Sequence, residues 1–264
     1  MNKPIGVFDS GVGGLTVVKE LMRLLPRESI VYFGDTARVP YGTKSAETIR
    51  KFSLENILFL LKKNVKLVVV ACNTASSIAL PQIKRHFKVP IIGVILPGVK
   101  EAVAITKNKR IGVIATRATV NSQSYTKEIK ALNPKIKVFS AACPLFVPLA
   151  EEGWLNDKVT FDVARKYLEP FRKYKIDTLI LGCTHYPLLK SAINKVLGKG
   201  VTLIDSAKQV ACEVKQILDE DCSCSQEKKP SREFYVSDEP DNFRGLAQRF
   251  LGYKLNKVYK VNCV

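Results

Sequence analysis

Two cysteines occupy similar positions in the two halves of the chain, and they are the residues best suited to chemistry. Cys72 ends a short apolar run and precedes Asn73 and Thr74, and Cys183 ends a similar run and precedes Thr184. A lone cysteine at the end of a buried strand is usually a small packing residue. Two of them, each before a predicted helix, favour a reactive role, because a helix N-terminus lowers the pKa of a thiol and the thiolate is the reactive form.

The paired cysteines suit a proton transfer between two bases. If the two halves face each other, the thiols approach one cleft from opposite sides. One thiolate could then remove a proton from a substrate carbon while the other thiol delivers a proton to the opposite face. His185 follows Cys183 by two residues and could orient or assist that thiol. This chemistry needs no cofactor.

A glycine-rich loop at residues 9–14 follows the first apolar run and leads into a predicted helix. Such loops present backbone N–H groups to phosphate or carboxylate groups. Thr16 stands where a dinucleotide-binding fingerprint would have its third glycine, and the glycines alone favour a tight turn capped by Ser10. A buried Asp9 points further toward a site, because an acceptor-only carboxylate needs a cationic partner or an amine.

The remaining cysteines give weaker signals. Three of them are predicted to be packing residues: Cys143, Cys212 and Cys263. Cys222 and Cys224 form a C-x-C pair in the polar segment 219–232, which is predicted to be a loop. The chain has only two histidines to complete a metal site, so no metal is expected.

The elements that would position these residues alternate between short apolar runs and longer amphipathic segments. Seven runs predict buried strands: residues 5–8, 30–33, 67–71, 91–94, 111–115, 178–181 and 201–204. Residues 16–25 and 45–63 predict helices, the second with Ser45 as its N-cap. Alternation of strand and helix predicts an α/β fold with parallel sheets.

A loose internal repeat predicts two similar α/β domains. Residues 5–8 resemble residues 111–114 at a shift of 106, and residues 68–72 resemble residues 179–183 at a shift of 111. Residues 31–40 and 138–148 show a third such similarity. We expect pseudo-two-fold symmetry, with the active site between the domains.

The expected domains are residues 1–96 and 97–209. The crossover falls at Pro97-Gly98. The tail, residues 210–264, could return to either domain, and we assign it to the first.

Composition and charge narrow the function classes. The chain has 264 residues, of which 46% are hydrophobic, and a net charge of +18. Residues 1–150 carry 23 Lys and Arg against 8 Asp and Glu, but no block of five like charges. A solvated basic surface is therefore favoured over a nucleic-acid face, and no nucleic-acid partner is expected.

The chain also lacks the marks of a membrane or secreted protein. No apolar run approaches the roughly 20 residues of a membrane span, and residues 1–20 do not have the order of a signal peptide. Seven cysteines are too few, and odd in number, for a disulfide scaffold. A cytoplasmic setting with free thiols, away from the membrane, is expected.

Six blocks of sequence resemble the glutamate racemase family, within the aspartate/glutamate racemase superfamily. They are IGVFDSGVGGL (5–15), GDTARVPYG (34–42), VACNTAS (70–76), PGVKEA (97–102), CPLFVPLAEE (143–152) and LILGCTHYPLL (179–189). The tail after residue 215 matches no motif. The resemblance implies two α/β domains around a buried glutamate, cofactor-independent interconversion of L- and D-glutamate for peptidoglycan synthesis, and a homodimer.

The resemblance also implies roles for individual residues. Cys72 and Cys183 would be the acid and base. Asp9 and His185 would aid proton transfer, and Glu151, which adjoins Glu152, is a further candidate for this role. Eight residues would hold the substrate: Asp9, Ser10, Tyr41, Gly42, Asn73, Thr74, Thr184 and His185. Two alternatives stay open: a racemase of aspartate or another small acid, and a second role in binding nucleic acid or DNA gyrase.

Overall fold

Two parallel sheets contain the ten strands of the computed structural model, which describes residues 3–262. The strands are β1 (Ile5–Asp9), β2 (Ile30–Gly34), β3 (Leu67–Val70), β4 (Ile91–Gly93), β5 (Arg110–Ala115), β6 (Lys137–Ala142), β7 (Thr178–Gly182), β8 (Thr202–Ile204), β9 (Arg232–Val236) and β10 (Tyr259–Lys260). The first sheet has the order β10-β9-β2-β1-β3-β4, and the second has the order β6-β5-β7-β8.

Helices connect the strands and cover both sheets. They are α1 (Leu15–Leu24), α2 (Ala46–Lys62), α3 (Asn73–Ile78), α4 (Leu80–Ile83), α5 (Ile95–Ile105), α6 (Arg117–Ser122), α7 (Ser124–Leu132), α8 (Phe146–Glu152), α9 (Lys158–Tyr174), α10 (Lys190–Leu197), α11 (Ser206–Glu220) and α12 (Pro240–Leu251). The predicted cap of α2 is present, because the Ser45 side chain accepts from the Thr48 N–H at 3.2 Å. Short 3-10 turns lie at Tyr41–Thr43, Lys84–His86 and Tyr186–Leu189.

The central strands are buried on both faces, which explains why their sequences are uniformly apolar. All five residues of β1 are buried. Val7 faces a core that includes Leu15 and Val18 of α1, and Phe8 faces another that includes Ile57 and Leu60 of α2. Successive side chains of a strand point to opposite faces, so a strand covered on both sides needs an unbroken apolar run.

The predicted fold class is confirmed. The order β2-β1-β3-β4 in the first sheet matches the order β6-β5-β7-β8 in the second, and all neighbouring pairs are parallel. Each of the seven apolar runs forms a strand. The repeat places Cys72 and Cys183 after the third strand of their respective sheets, β3 and β7.

The C-terminal segment returns to the first sheet. β9 pairs with β2 along residues 232–236, and β10 adds beyond β9. Helix α11 also packs on α1 in the same core, through residues such as Val210 and Val214. We therefore propose that residues 210–264 complete the domain formed by residues 1–96, and that residues 97–209 form the other domain.

The remaining cysteines follow the predictions only in part. Cys143 is buried, but Cys212 is exposed, so its predicted packing role is wrong. The reason is its place on α11, where the neighbouring Val210 and Ala211 face the core instead. Cys263 lies outside the described residues. Cys222 is exposed, and the Cys224 thiol donates to Asp219 at 3.1 Å.

Residues 3–262 contain neither a membrane-spanning helix nor a cluster suited to a metal ion. None of the helices in this span is long and apolar enough to cross a membrane. Within the same span, His, Cys, Asp and Glu side chains form no group of three or more that could hold a metal ion.

Candidate active site

Cys72 ends the loop after β3 and caps helix α3. Its sulfur accepts from the backbone N–H of Ala75 at 3.5 Å and donates to the Ser10 hydroxyl at 3.6 Å. Only 5% of the residue is exposed. The thiol therefore sits where two neighbouring strands of the first sheet end, β1 with Ser10 and β3 with Cys72, as expected for a site in a parallel sheet.

Asp9 is the last residue of β1 and is fully buried. One carboxylate oxygen accepts from the Gly11 N–H at 3.1 Å, and the other accepts from the Thr184 hydroxyl at 3.5 Å. Burial raises the pKa of Asp9, against the opposing effect of the nearby His185 charge and of backbone N–H groups. The carboxylate thus belongs to the first sheet but contacts the loop after β7 of the second.

The glycine-rich loop at residues 9–14 allows the end of β1 to approach the loop after β7. A Cβ atom at Gly13 would lie 2.3 Å from Oγ1 of Thr184 and 2.6 Å from Nδ1 of His185. Real Cβ atoms do not approach so closely, so only glycine fits at this position. The loop therefore serves close contact between the halves, which a sequence search for anion-binding loops does not reveal.

Cys183 follows β7 and is joined to a chain of acid and base groups. Its sulfur lies 3.8 Å from Nδ1 of His185, and Nε2 of His185 lies 2.9 Å from Oε1 of Glu151. Burial lowers the pKa of His185, but hydrogen bonds with Cys183 and Glu151 outweigh it and bring the pKa to about 10. A protonated imidazole can donate to both partners.

The surroundings of Cys72 include the other thiol. Burial raises the pKa of Cys72 to about 12, and the charge of Asp9 acts in the same direction. The N–H of Ala75 and the Ser10 hydroxyl oppose this rise. Charge on Cys183 raises the pKa of Cys72 further, so the two sulfurs belong to one electrostatic site.

The sequence and the fold are both similar to those of known racemases. The sequence profile described as Asp/Glu/hydantoin racemase matches residues 5–214. This chain is a member of the Asp/Glu/hydantoin racemase family. It is therefore an isomerase, and the predicted family and enzyme class are confirmed.

Individual racemases match over almost their whole length. The glutamate racemase of Geobacter metallireducens is 50% identical over 261 residues, which are 98% of this chain and 97% of that protein. The Bacillus anthracis glutamate racemase RacE1 has a TM-score of 0.95 and 42% identity, covering 98% of this chain and 97% of that one. The Francisella tularensis glutamate racemase, in complex with D-glutamate, has a TM-score of 0.94 and 44% identity, covering 99% and 98%.

Asn73 and Thr74, at the start of α3, directly follow Cys72 and make a second set of contacts between the two halves of the racemase. The Tyr125 hydroxyl donates to Oδ1 of Asn73 at 2.6 Å, and Oγ1 of Thr74 lies 3.0 Å from Oγ1 of Thr116. The backbone N–H groups of Asn73 and Thr74 have no acceptor within the helix, because they precede its first complete turn. The residues that follow Cys72 thus face helices α6 and α7 of the second half.

Tyr41 and Gly42 make different contacts near the candidate site. The Tyr41 hydroxyl donates to the Asp35 carboxylate and accepts from the Asn56 amide at 2.9 Å, so it serves a buried network. Gly42 approaches Thr116, and a Cβ there would lie 2.6 Å from Cβ of Thr116. A substrate contact at Tyr41 would therefore use its backbone and not its hydroxyl.

Sequence reasoning missed several residues around the racemase site. Asp35, Thr116 and Tyr125 make the contacts described above. Thr119 places its Oγ1 3.3 Å from Oγ1 of Thr74, Arg249 contacts Glu151, and Phe250 contacts His185. Asp35 lies within the block GDTARVPYG, which offered a signal. The others lie outside the quoted blocks and become visible only when the chain is folded.

Proposed function

We propose that this enzyme interconverts L- and D-glutamate by a two-base proton transfer between Cys72 and Cys183. The observation that carries the proposal is the pair of buried thiols after equivalent strands, each with its own ionisable groups beside it. The glutamate racemases among the relatives supply the choice of substrate.

In the proposed reaction, one cysteine thiolate removes the α-proton, and the C–H electron pair stays on the α-carbon. The other thiol then donates its proton to the opposite face of that carbon. A C–H bond breaks and a C–H bond forms, so the substrate changes only its configuration. The enzyme ends with its thiol and thiolate exchanged, and a proton must move between them before the next turnover in the same direction.

The α-proton of an amino acid is a very weak acid, so the carbanion-like state needs preorganised donors around the α-carboxylate. We assign this role to the residues at the strand ends: Ser10, Gly42, Asn73, Thr74 and Thr184, with Tyr41 through its backbone. Asp9 lies beside Cys72 and His185 beside Cys183, which places each of them near the thiol it would assist. Asp9 and His185 would also contact the substrate amine and carboxylates.

The structure supports Glu151, rather than Glu152, as the third proton-handling residue. Oε1 of Glu151 contacts His185 at 2.9 Å, while Glu152 is exposed. Glu151 would hold the imidazole in place and stabilise its protonated form, in the manner of a carboxylate behind a catalytic histidine.

We further propose a cytoplasmic homodimer that supplies D-glutamate for peptidoglycan. The family resemblance supports this biological setting, and the excess of Lys and Arg in residues 1–150 offers a positive field for a substrate with two carboxylates.

The decisive experiment is circular dichroism of L-glutamate incubated with the purified enzyme and no added cofactor. The signal should decay to zero, and D-glutamate should give the mirror-image decay. An aspartate arm tests the nearest alternative substrate. A Cys183→Ser protein purified in parallel excludes a contaminating racemase. A folded wild-type enzyme that leaves both glutamate signals unchanged would contradict the proposal.

A further inference from the structure

Helix α12 belongs to the first half of the molecule, yet two of its residues contact the acid and base groups beside Cys183. They are Arg249 and Phe250, and both lie beyond the residues 5–214 that the family profile matches. Their partners, Glu151 and His185, belong to the second half.

Arg249 holds the end of helix α8. Its Nη1 donates to the backbone carbonyl of Glu151, which lies in the last turn of α8. Carbonyl groups in a last turn lack intrahelical partners and carry the negative end of the helix dipole, so a guanidinium suits them well. The guanidinium also covers Gly153, where a Cβ would lie 2.9 Å from Cζ of Arg249. Gly153 has a φ of 79°, which glycine adopts at little cost and which ends the helix.

Phe250 holds the imidazole. Its ring meets the His185 ring edge to face, with centroids 5.5 Å apart and planes at 86°. Only 2% of Phe250 is exposed, and it is part of the core formed by α1, α11 and α12. The plane of the imidazole is therefore supported by a buried side chain of the opposite half.

We propose that Arg249 and Phe250 are positioning residues that align Glu151 and His185 with Cys183. The inference rests on the proposed two-thiol reaction. Arg249 fixes the backbone from which the Glu151 carboxylate reaches Nε2 of His185, and Phe250 fixes the ring that presents Nδ1 to the sulfur. Because both act from the first half, proton transfer at Cys183 depends on the docking of the two halves as well as on the loop that carries Cys183.

The test uses primary isotope effects on kcat/KM with α-deuterated L- and D-glutamate in ordinary water. A variant that slows only the proton transfer to or from Cys183 makes that transfer more rate-limiting. The isotope effect then rises for the enantiomer whose proton Cys183 removes. It falls for the other enantiomer toward the equilibrium isotope effect of the first transfer, because reprotonation by Cys183, which carries no deuterium, becomes limiting. General damage to the fold lowers both rates and leaves both isotope effects unchanged.

Arg249→Ala is expected to lower kcat about fivefold, the effect of one lost orienting hydrogen bond, and to move the two isotope effects in opposite directions. Arg249→Lys should lie between this variant and wild type, because it keeps the charge and a single donor. The matched control is Arg244→Ala, which removes another α12 arginine whose partner is the exposed Asp241. It should leave both isotope effects at their wild-type values.

Unchanged isotope effects in Arg249→Ala, whether or not the rate falls, would overturn the proposal. If Arg249→Ala does not fold, Arg249→Lys and Phe250→Leu carry the same test, and unchanged isotope effects in both would overturn it. The wild-type measurement comes first, since a wild type that does not racemise glutamate contradicts the proposed function and not the positioning role.

Discussion

Cys72 and Cys183 follow the third strand of their respective sheets, but their surroundings differ in chemistry. Cys72 lies beside the buried carboxylate of Asp9, whose charge raises the pKa of the thiol. Cys183 lies 3.8 Å from the imidazole of His185, which is backed by Glu151. The repeated fold supplies two equivalent positions, and the loops after the strands supply different partners.

This difference has a mechanistic meaning. A two-base racemase must treat the two faces of one carbon, and the two enantiomers present their side chains differently. In the proposed reaction, equivalent strand ends bring two thiols to one site, and unlike partners assist the proton transfer at each thiol. Substitutions beside each thiol should show how far the surroundings of Cys72 and Cys183 differ in their effect on catalysis.

The largest effect is expected from the thiols themselves. Cys72→Ser and Cys183→Ser should each lower racemisation by about 10³-fold or more, because each removes a general acid–base group. Polarimetry of L- and D-glutamate measures the loss. The exposed Cys212 provides the matched control, since Cys212→Ser should keep wild-type activity. Full activity in either active-site variant would contradict the two-base reaction.

Gly13→Ala should disturb the surroundings of both thiols together. The added methyl group would overlap Thr184 and His185, so the glycine-rich loop would have to move away from the second half. We expect about a 10²-fold loss of kcat, because small misplacements at a reaction centre are costly. Gly245→Ala is the control, since a Cβ there meets nothing within 4 Å. If Gly13→Ala keeps activity, close docking of the halves is not required.

Glu151→Gln should disturb only the surroundings of Cys183. Loss of the carboxylate behind His185 should lower kcat about tenfold, since the protonated imidazole loses its charged partner. Glu152→Gln is the matched control and should have almost no effect, because Glu152 is exposed. Steady-state kinetics in both directions distinguish the two variants. An equal loss in both would show that the contact with His185 is unimportant.

The smallest effect concerns Cys72 in the free enzyme. Its raised pKa, about 12, leaves little thiolate at pH 8, so alkylation by iodoacetamide should be slow and rise about tenfold per pH unit up to pH 10. Asp9→Asn removes a charge that raises this pKa, so it should speed alkylation a few-fold at pH 8. Mass spectrometry of the labelled peptide gives both rates. A plateau below pH 9 would contradict the high pKa.

Much of the fold and part of the site could be predicted from the sequence. Short apolar runs form strands because both sheet faces are covered, and the shifts of 106 to 111 residues reflect two sheets with the same strand order. β6 was harder to predict as a strand because it lies at a sheet edge and none of its residues is fully buried. Lys137 and Ser140 interrupt the apolar run of β6 on which the prediction depends.

The side-chain contacts around the candidate site could not be predicted. The choice between Glu151 and Glu152 depends on which side chain of α8 turns toward His185. The roles of Arg249 and Phe250 depend on contacts between residues that are far apart in sequence. Tyr41 shows the same limit, because the sequence suggested a substrate contact while its hydroxyl bonds to Asp35 and Asn56. The periodicity of apolar residues indicates which positions are buried, but it does not indicate which side chains they contact.

The return of residues 232–236 to the first sheet has a consequence for protein synthesis. As the nascent chain leaves the ribosome, β1 to β4 emerge first, but the outer edge of β2 stays open until β9 follows it. All four strands of the second sheet are made within that interval. The second sheet can therefore close before the first is complete, and early termination after residue 220 would leave an uncovered strand edge prone to aggregation.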